Sequence, residues 1–162
     1  MKAPIIIDVE ASGFGAGSYP IEVGFVLPDG SPTCFLINPA EEWTHWDSSA
    51  EQVHGIQRVA LEKFGCTVTE AAQRLNEKLR GNTVYSDGWS HDFSWLGLLF
   101  ECSGITQRFR LESLRAILNE QQIEQWHETK KKVQVELGLE RHRASADARI
   151  LQQTFLRTLE RS

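Results

Sequence analysis

Three consecutive isoleucines, Ile5-Ile6-Ile7, run directly into Asp8-Val9-Glu10-Ala11-Ser12-Gly13. A short β-branched run of this kind predicts a buried strand, and here the strand ends in two acids. Side chains alternate along a strand, so Asp8 and Glu10 point to the same face. Two carboxylates side by side resist ionising together unless a cation lies between them. An isolated Asp-x-Glu can equally be a solvated strand end. The apolar run leading into it favours the ligand crevice that open α/β sheets form beyond their strand ends.

The rest of the chain supplies the sheet. Residues 21–27 and 33–37, joined by Pro28-Asp29-Gly30-Ser31, predict a hairpin, so the first three strands are expected to be antiparallel. From Asp47 the pattern turns helical: Asp47 or Ser48 can cap a short segment that Gly55 closes. Residues 69–79 carry Ala72, Leu75, Asn76 and Leu79 at helical spacing, with Gly81 just beyond. Residues 83–86 predict a strand, and Phe93, Leu96, Leu99 and Phe100 mark an apolar helix face ending near Gly104. Residues 109–111 predict one more strand and 112–137 are mostly helical. The last helix is expected to begin near Ala144 and to bury Ala148, Leu151, Phe155 and Leu159. Strands first, then strand and helix in alternation, predict a three-layer α/β domain with a mixed sheet. With no internal repeat and no linker-like run, residues 1–162 are expected to form a single domain.

Composition decides what a metal would be for. A chain of 162 residues, 41% hydrophobic, can bury a core without a metal or disulfide staple, so any bound metal would serve function. Cys34, Cys66 and Cys102 are odd in number and form no CxxC pair, which fits neither a disulfide framework nor a zinc knuckle and suggests a reducing cytoplasm. The first residues lack the form of a secretory signal, and no stretch approaches the roughly 20 apolar residues of a membrane helix. Lys+Arg 17 against Asp+Glu 22, a net charge of -5, argues against strong, indiscriminate binding to nucleic acid.

Two more segments carry acids in informative places. Asp92 follows the predicted strand 83–86 in Ser86-Asp87-Gly88-Trp89-Ser90-His91-Asp92-Phe93-Ser94-Trp95-Leu96. Alone it would be a helix N-cap, and Asp87 is its rival. In His142-Arg143-Ala144-Ser145-Ala146-Asp147 the acid lies four residues before Leu151, on the inward side of the last helix. A single inward Asp is more often structural, and a lone His more often a surface residue. Taken together, four carboxylates and one imidazole can converge, and oxygen-only ligands suit Mg²⁺ or Mn²⁺ rather than zinc.

In this order the residues resemble the DEDDh superfamily of 3′-to-5′ exonucleases. The first motif, D-x-E-x-[ST]-G, is matched by residues 8–13, and the third, H-x4-D, by His142 through Asp147. Val53-His54-Gly55-Ile56 resembles a short segment many members carry between the first two motifs. The second motif departs: Asp87-Gly88 stand where His-Asn is usual and His91 replaces Phe, while Asp92-Phe93-Ser94-Trp95-Leu96 keeps the D-x-x-[FW]-L tail and selects Asp92 over Asp87.

The resemblance implies a ribonuclease H-like fold with a mixed five-stranded sheet. It also implies that Asp8, Glu10, Asp92 and Asp147 hold two Mg²⁺ or Mn²⁺ ions, with His142 as general base, a role that suits an imidazole titrating near neutrality. Its substrate would be a single-stranded 3′ end of RNA or DNA, released as nucleoside 5′-monophosphates. The backbone of Ala11, Ser12 and Gly13 would hold the terminal sugar, and Phe14, His54, Gly55, Ile56 and Trp89 would meet the last bases. Lys130-Lys131-Lys132, Arg141 and Arg143 are candidate phosphate guides, although a lysine run is usually a solvated helix face. A homodimer is compatible with all of this. Two other readings remain: a catalytically weak nucleic-acid-binding or polymerase-accessory module with the same fold, and a haloacid-dehalogenase-like phosphatase. The phosphatase would need Asp at the second acid.

Overall fold

A computed structural model describes residues 3–138 and 143–162. The isoleucine run and its acids form β1 (Ile5–Ala11), followed by β2 (Pro20–Val26) and β3 (Pro32–Leu36). The hairpin between β2 and β3 is built as its residues predict. Asp29 Oδ1 accepts from the Ser31 amide at 2.9 Å and from the Ser31 hydroxyl at 2.7 Å, and Gly30 takes the left-handed conformation at φ 86°.

α1 (Ser48–His54) starts on Asp47, whose carboxylate accepts from the Ser49 amide, and ends at Gly55 with φ 69°. α2 (Arg58–Phe64) follows, then α3 (Val68–Leu79), capped by Thr67. β4 (Thr83–Ser86) leads into α4 (Trp89–Ser103), and β5 (Arg110–Ser113) into a 3₁₀ turn at Leu114–Ile117. α5 (Glu120–Leu137) begins with a capping box between Asn119 and Gln122, and α6 (Ala144–Glu160) closes the described chain.

The five strands form one mixed sheet in the order β3-β2-β1-β4-β5. β1 pairs antiparallel with β2 and parallel with β4, so the strand that carries the two acids is central. Its alternation divides the core. Ile5, Ile7, Val9 and Ala11 join the cluster that includes Leu75, Leu79, Trp95, Leu96 and Leu99 from α3 and α4. Ile6 packs on the opposite side with Ala148, Leu151 and Phe155 of α6. Asp8 and Glu10 share the Ile6 face, the one α6 covers. Three layers result, as the order of elements predicts.

Several expectations are corrected. α2 has no counterpart in the predicted elements, since its cap residue Gln57 makes no side-chain capping bond and it buries Leu61 alone. On α4 the buried apolar set is Trp95, Leu96, Leu99 and Phe100, whereas Phe93 is 53% exposed. The predicted helix over 112–137 is interrupted, because Glu112 and Ser113 continue β5 and the 3₁₀ turn intervenes. Leu159 is only partly buried. All three cysteines are free thiols, and among the described residues no helix is long and apolar enough to cross a membrane.

Candidate metal centre

Two elements bring the acids together. β1 points Asp8 and Glu10 at α6, and Asp147 lies in the first turn of that helix. Among the described residues, Asp8, Glu10 and Asp147 form one group whose carboxylate oxygens all lie within 4.8 Å of one another, each side chain half-buried. So close an approach of helix to sheet needs a gap in β2. Gly24, the register partner of Asp8, provides it: a Cβ there would come within 2.1 Å of the Ser145 backbone nitrogen.

Asp92 comes from α4. It is 3% exposed and sits in the first turn rather than at the cap, which is Gly88. Its Oδ2 accepts a 2.5 Å hydrogen bond from the Ser86 hydroxyl at the end of β4. It stands outside the three-carboxylate group yet lines the same cleft. Asp87 is exposed and lines the opposite lobe of that cleft.

The charges crowd one another. Burial, then the carboxylates of Asp92, Glu10, Asp147 and Asp87, hold Asp8 well above the ordinary carboxylate range. Burial, then Asp147, Glu22 and Asp92, push Glu10 up to about 8. Burial lifts Asp92 to about 7 even though the Ser86 bond favours its charged form. Because these folded-state values lie above the unfolded ones, the folded protein holds more protons. The stability this contributes is complete below the ordinary carboxylate range and is lost as pH rises through about 7 to 8. The melting temperature of metal-free protein is therefore expected to fall between about pH 5 and pH 8.5. A flat or rising profile in differential scanning calorimetry would show that the carboxylates do not repel one another as placed.

The cleft has two lobes that share Asp8, Glu10, Val53 and Asp147. One, about 250 Å³, adds Asp87, Lys130 and Gln134. The other, about 220 Å³, is aromatic: Phe14, 68% exposed, meets His91 edge-on at 5.2 Å, and His91 stacks on Trp95 at 5.4 Å.

Of the residues the sequence singles out, Ala11, Gly13 and Phe14 line the aromatic lobe. Ser12 is buried behind it, its hydroxyl 2.9 Å from His45 Nδ1 and accepting from the Tyr19 amide at 3.1 Å. His54 is buried and accepts the Ile56 amide on Nδ1, Gly55 is the left-handed cap of α1, and Ile56 is a core residue. Their neighbour Val53, 60% exposed, is the one that reaches the cleft. Trp89 donates from Nε1 to the Leu111 carbonyl, stacks on Phe93 and lines neither lobe. His142 lies outside the described residues.

Sequence reasoning passed over Val53, His91 and Trp95 as lining residues, and Gly24 and Glu22 as seats for α6. The signals were present: an acid and a glycine inside the otherwise apolar Ile21-Glu22-Val23-Gly24-Phe25, and a histidine in place of the usual Phe before Asp92.

The mixed five-stranded sheet with helices packed on both faces matches the α/β fold of solved exonuclease I structures. In particular the chain is similar to exonuclease I from Methylocaldum szegediense, at 14% identity and TM-score 0.69 over 94% of this chain. E. coli exonuclease I in complex with a dA16 oligonucleotide gives 12% identity and TM-score 0.67 over 99%. A zinc-ion-bound complex of the E. coli enzyme with ssDNA gives 11% and 0.66 over 97%. At these identities the likeness is one of fold, and the chain corresponds to 40%, 43% and 40% of those proteins' lengths. No protein-family model and no curated protein matches the chain.

Proposed function

We propose that the chain is a metal-dependent 3′-to-5′ exonuclease acting on single-stranded RNA or DNA ends. The observation that carries this reading is the group of three carboxylates from β1 and α6, oxygens within 4.8 Å, opening into an aromatic lobe. An oxygen-only, mutually repelling donor set fits a hard divalent cation such as Mg²⁺ or Mn²⁺. Asp8, Glu10 and Asp147, with Asp92 beside them, would hold two such ions, which when bound supply Lewis-acid stabilisation to an in-line phosphoryl displacement. The fold neighbours support the assignment, since E. coli exonuclease I is seen in complex with dA13 and dA16 oligonucleotides and with ssDNA.

The chain's own residues do the rest. Phe14, His91 and Trp95 offer ring faces and edges to a terminal base without reading its sequence. Gly13 brings the backbone close to the lobe; a side chain there would press on His45 and Asp47. His142 takes the proton from the attacking water, and the product is a nucleoside 5′-monophosphate.

The test uses 3′-labelled RNA and DNA oligonucleotides with Mn²⁺ and with EDTA. Monophosphate release that needs the metal and starts at the 3′ end supports the enzyme. Oligonucleotide binding with no metal-dependent release would make the chain a catalytically weak binding module instead. The same assay is expected to show His142→Ala lowering turnover about 10²- to 10⁴-fold with Mn²⁺ affinity retained. Loss of affinity equal to that of Asp8→Ala would remove His142 from the base role.

A further inference from the structure

We propose that Glu22 is a positioning residue, gripping the start of α6 so that Asp147 meets Asp8 and Glu10. Nothing in the proposed chemistry uses this acid, yet it is fully buried in the middle of β2. A buried carboxylate is costly unless it is paired and hydrogen-bonded. Both oxygens of Glu22 face the start of α6, one through a hydrogen bond and the other through an ion pair alone. Oε1 accepts the Ala144 backbone N–H at 2.8 Å, and Oε2 lies 3.2 Å from Arg143 Nε. α6 has no side-chain cap of its own at Arg143, so Glu22 supplies from the sheet what an N-cap side chain ordinarily supplies, with a charge that suits a helix N-terminus.

The source of the cap matters. A cap on the neighbouring residue satisfies a helix wherever the helix lies. A cap on β2 satisfies it only when the first turn sits over Glu22 and Gly24, where no Cβ obstructs it. Glu22 is also the register partner of Glu10, and Gly24 that of Asp8, so the grip lies directly beside the two β1 ligands. Asp147 follows Ala144 within one turn. A slip of one residue would shift it by about 1.5 Å along the axis and about 100° around it, enough to take its carboxylate out of the group.

The inference rests on Asp8, Glu10 and Asp147 being divalent-ion ligands. It is tested by calorimetric titration of metal-free protein with Mn²⁺, well below the melting temperature measured on the same samples. Glu22→Ala removes the acceptor, whereas Glu22→Gln keeps an oxygen of the same reach for Ala144. Glu22→Ala is expected to weaken Mn²⁺ binding about 10- to 100-fold, the range for residues that orient metal ligands from behind, and Glu22→Gln, which loses the Arg143 ion pair but keeps the Ala144 hydrogen bond, to lose distinctly less. Should Glu22→Ala not fold, Ala144→Pro removes the donor at a helix position that accommodates proline and is expected to weaken binding in the same way. Unchanged affinity in Glu22→Ala or Ala144→Pro overturns the inference alone. Glu22→Gln as weak as Glu22→Ala also overturns it, since the charge rather than the grip would then be at work. Wild-type protein that takes up no Mn²⁺ overturns the reading of the site, and the role of Glu22 with it.

Discussion

Gly24→Ala is expected to destabilise the protein by about 3 kcal/mol or more, the upper range for forcing atoms into a packed interior. For a chain of this size that corresponds to a fall in melting temperature of roughly 6–12 °C. A methyl group at Gly24 would come within 2.1 Å of Ser145 N, 2.5 Å of Ala144 C and 2.7 Å of Ser145 Cα. All three atoms are backbone, so no rotamer change relieves the clash and α6 has to move. That helix covers the second core cluster through Ala148, Leu151 and Phe155, so moving it loosens the packing on one whole face of the sheet. Gly97→Ala is the matched control. It lies in α4, is exposed, and has nothing within 4 Å of the added carbon. There alanine's better helix propensity should leave stability unchanged or raise it by up to about 1 kcal/mol. Equal melting temperatures for Gly24→Ala and wild type would show that α6 is not seated on β2 as described.

The contrast between these glycines shows what the sequence could and could not disclose. β1, the β2–β3 hairpin and α6 were legible because local chemistry agrees with tertiary placement: an isoleucine run, a Pro-Asp-Gly-Ser turn, apolar residues three and four apart. α4 was legible as a helix but not in its orientation. Phe93, Trp95, Leu96 and Leu98 spread apolar surface around it, and spacing alone does not say that Trp95 is buried while Phe93 is exposed. α2 was invisible because it is short, uncapped by any side chain and buries Leu61 alone.

The site divides in the same way. Asp8 and Glu10 announce themselves, because strand alternation fixes their common face whatever the rest of the fold does. Asp147 becomes interpretable only with a helix period and a partner strand. Glu22 and Gly24 are visible as oddities in an apolar strand, but their meaning depends on a helix 122 residues away in sequence from Glu22 reaching that strand. His54, Gly55 and Ile56 resemble a motif and occupy cap and core positions, which a one-dimensional pattern does not separate from a substrate contact.

Asp8→Asn is expected to abolish metal-dependent hydrolysis and, in metal-free protein at about pH 8, to raise the melting temperature. The first effect follows from the proposed role. Asp8 is the central member of the carboxylate set, and losing a ligand that holds ions worth several kcal/mol of transition-state stabilisation lowers the rate roughly 10³-fold or more. The second follows from the charges. Burial, then Asp92, Glu10, Asp147 and Asp87, all act to keep Asp8 from ionising, so a neutral amide of the same shape removes a cost of ionisation that a bound cation would otherwise offset. Added Mn²⁺ should then raise the melting temperature of wild type and leave Asp8→Asn little changed, because only a folded state that binds the ion gains from it. The fall in stability toward alkaline pH should also be shallower in the variant, since one of the groups with a raised folded-state value is gone. An inactive variant that is less stable than metal-free wild type at pH 8 would contradict this account: Asp8 would then be a structural acid satisfied by its surroundings. An active one would remove it from the metal centre altogether. Activity and metal-free stability moving in opposite directions on a single substitution is the signature expected of a site assembled for a cation.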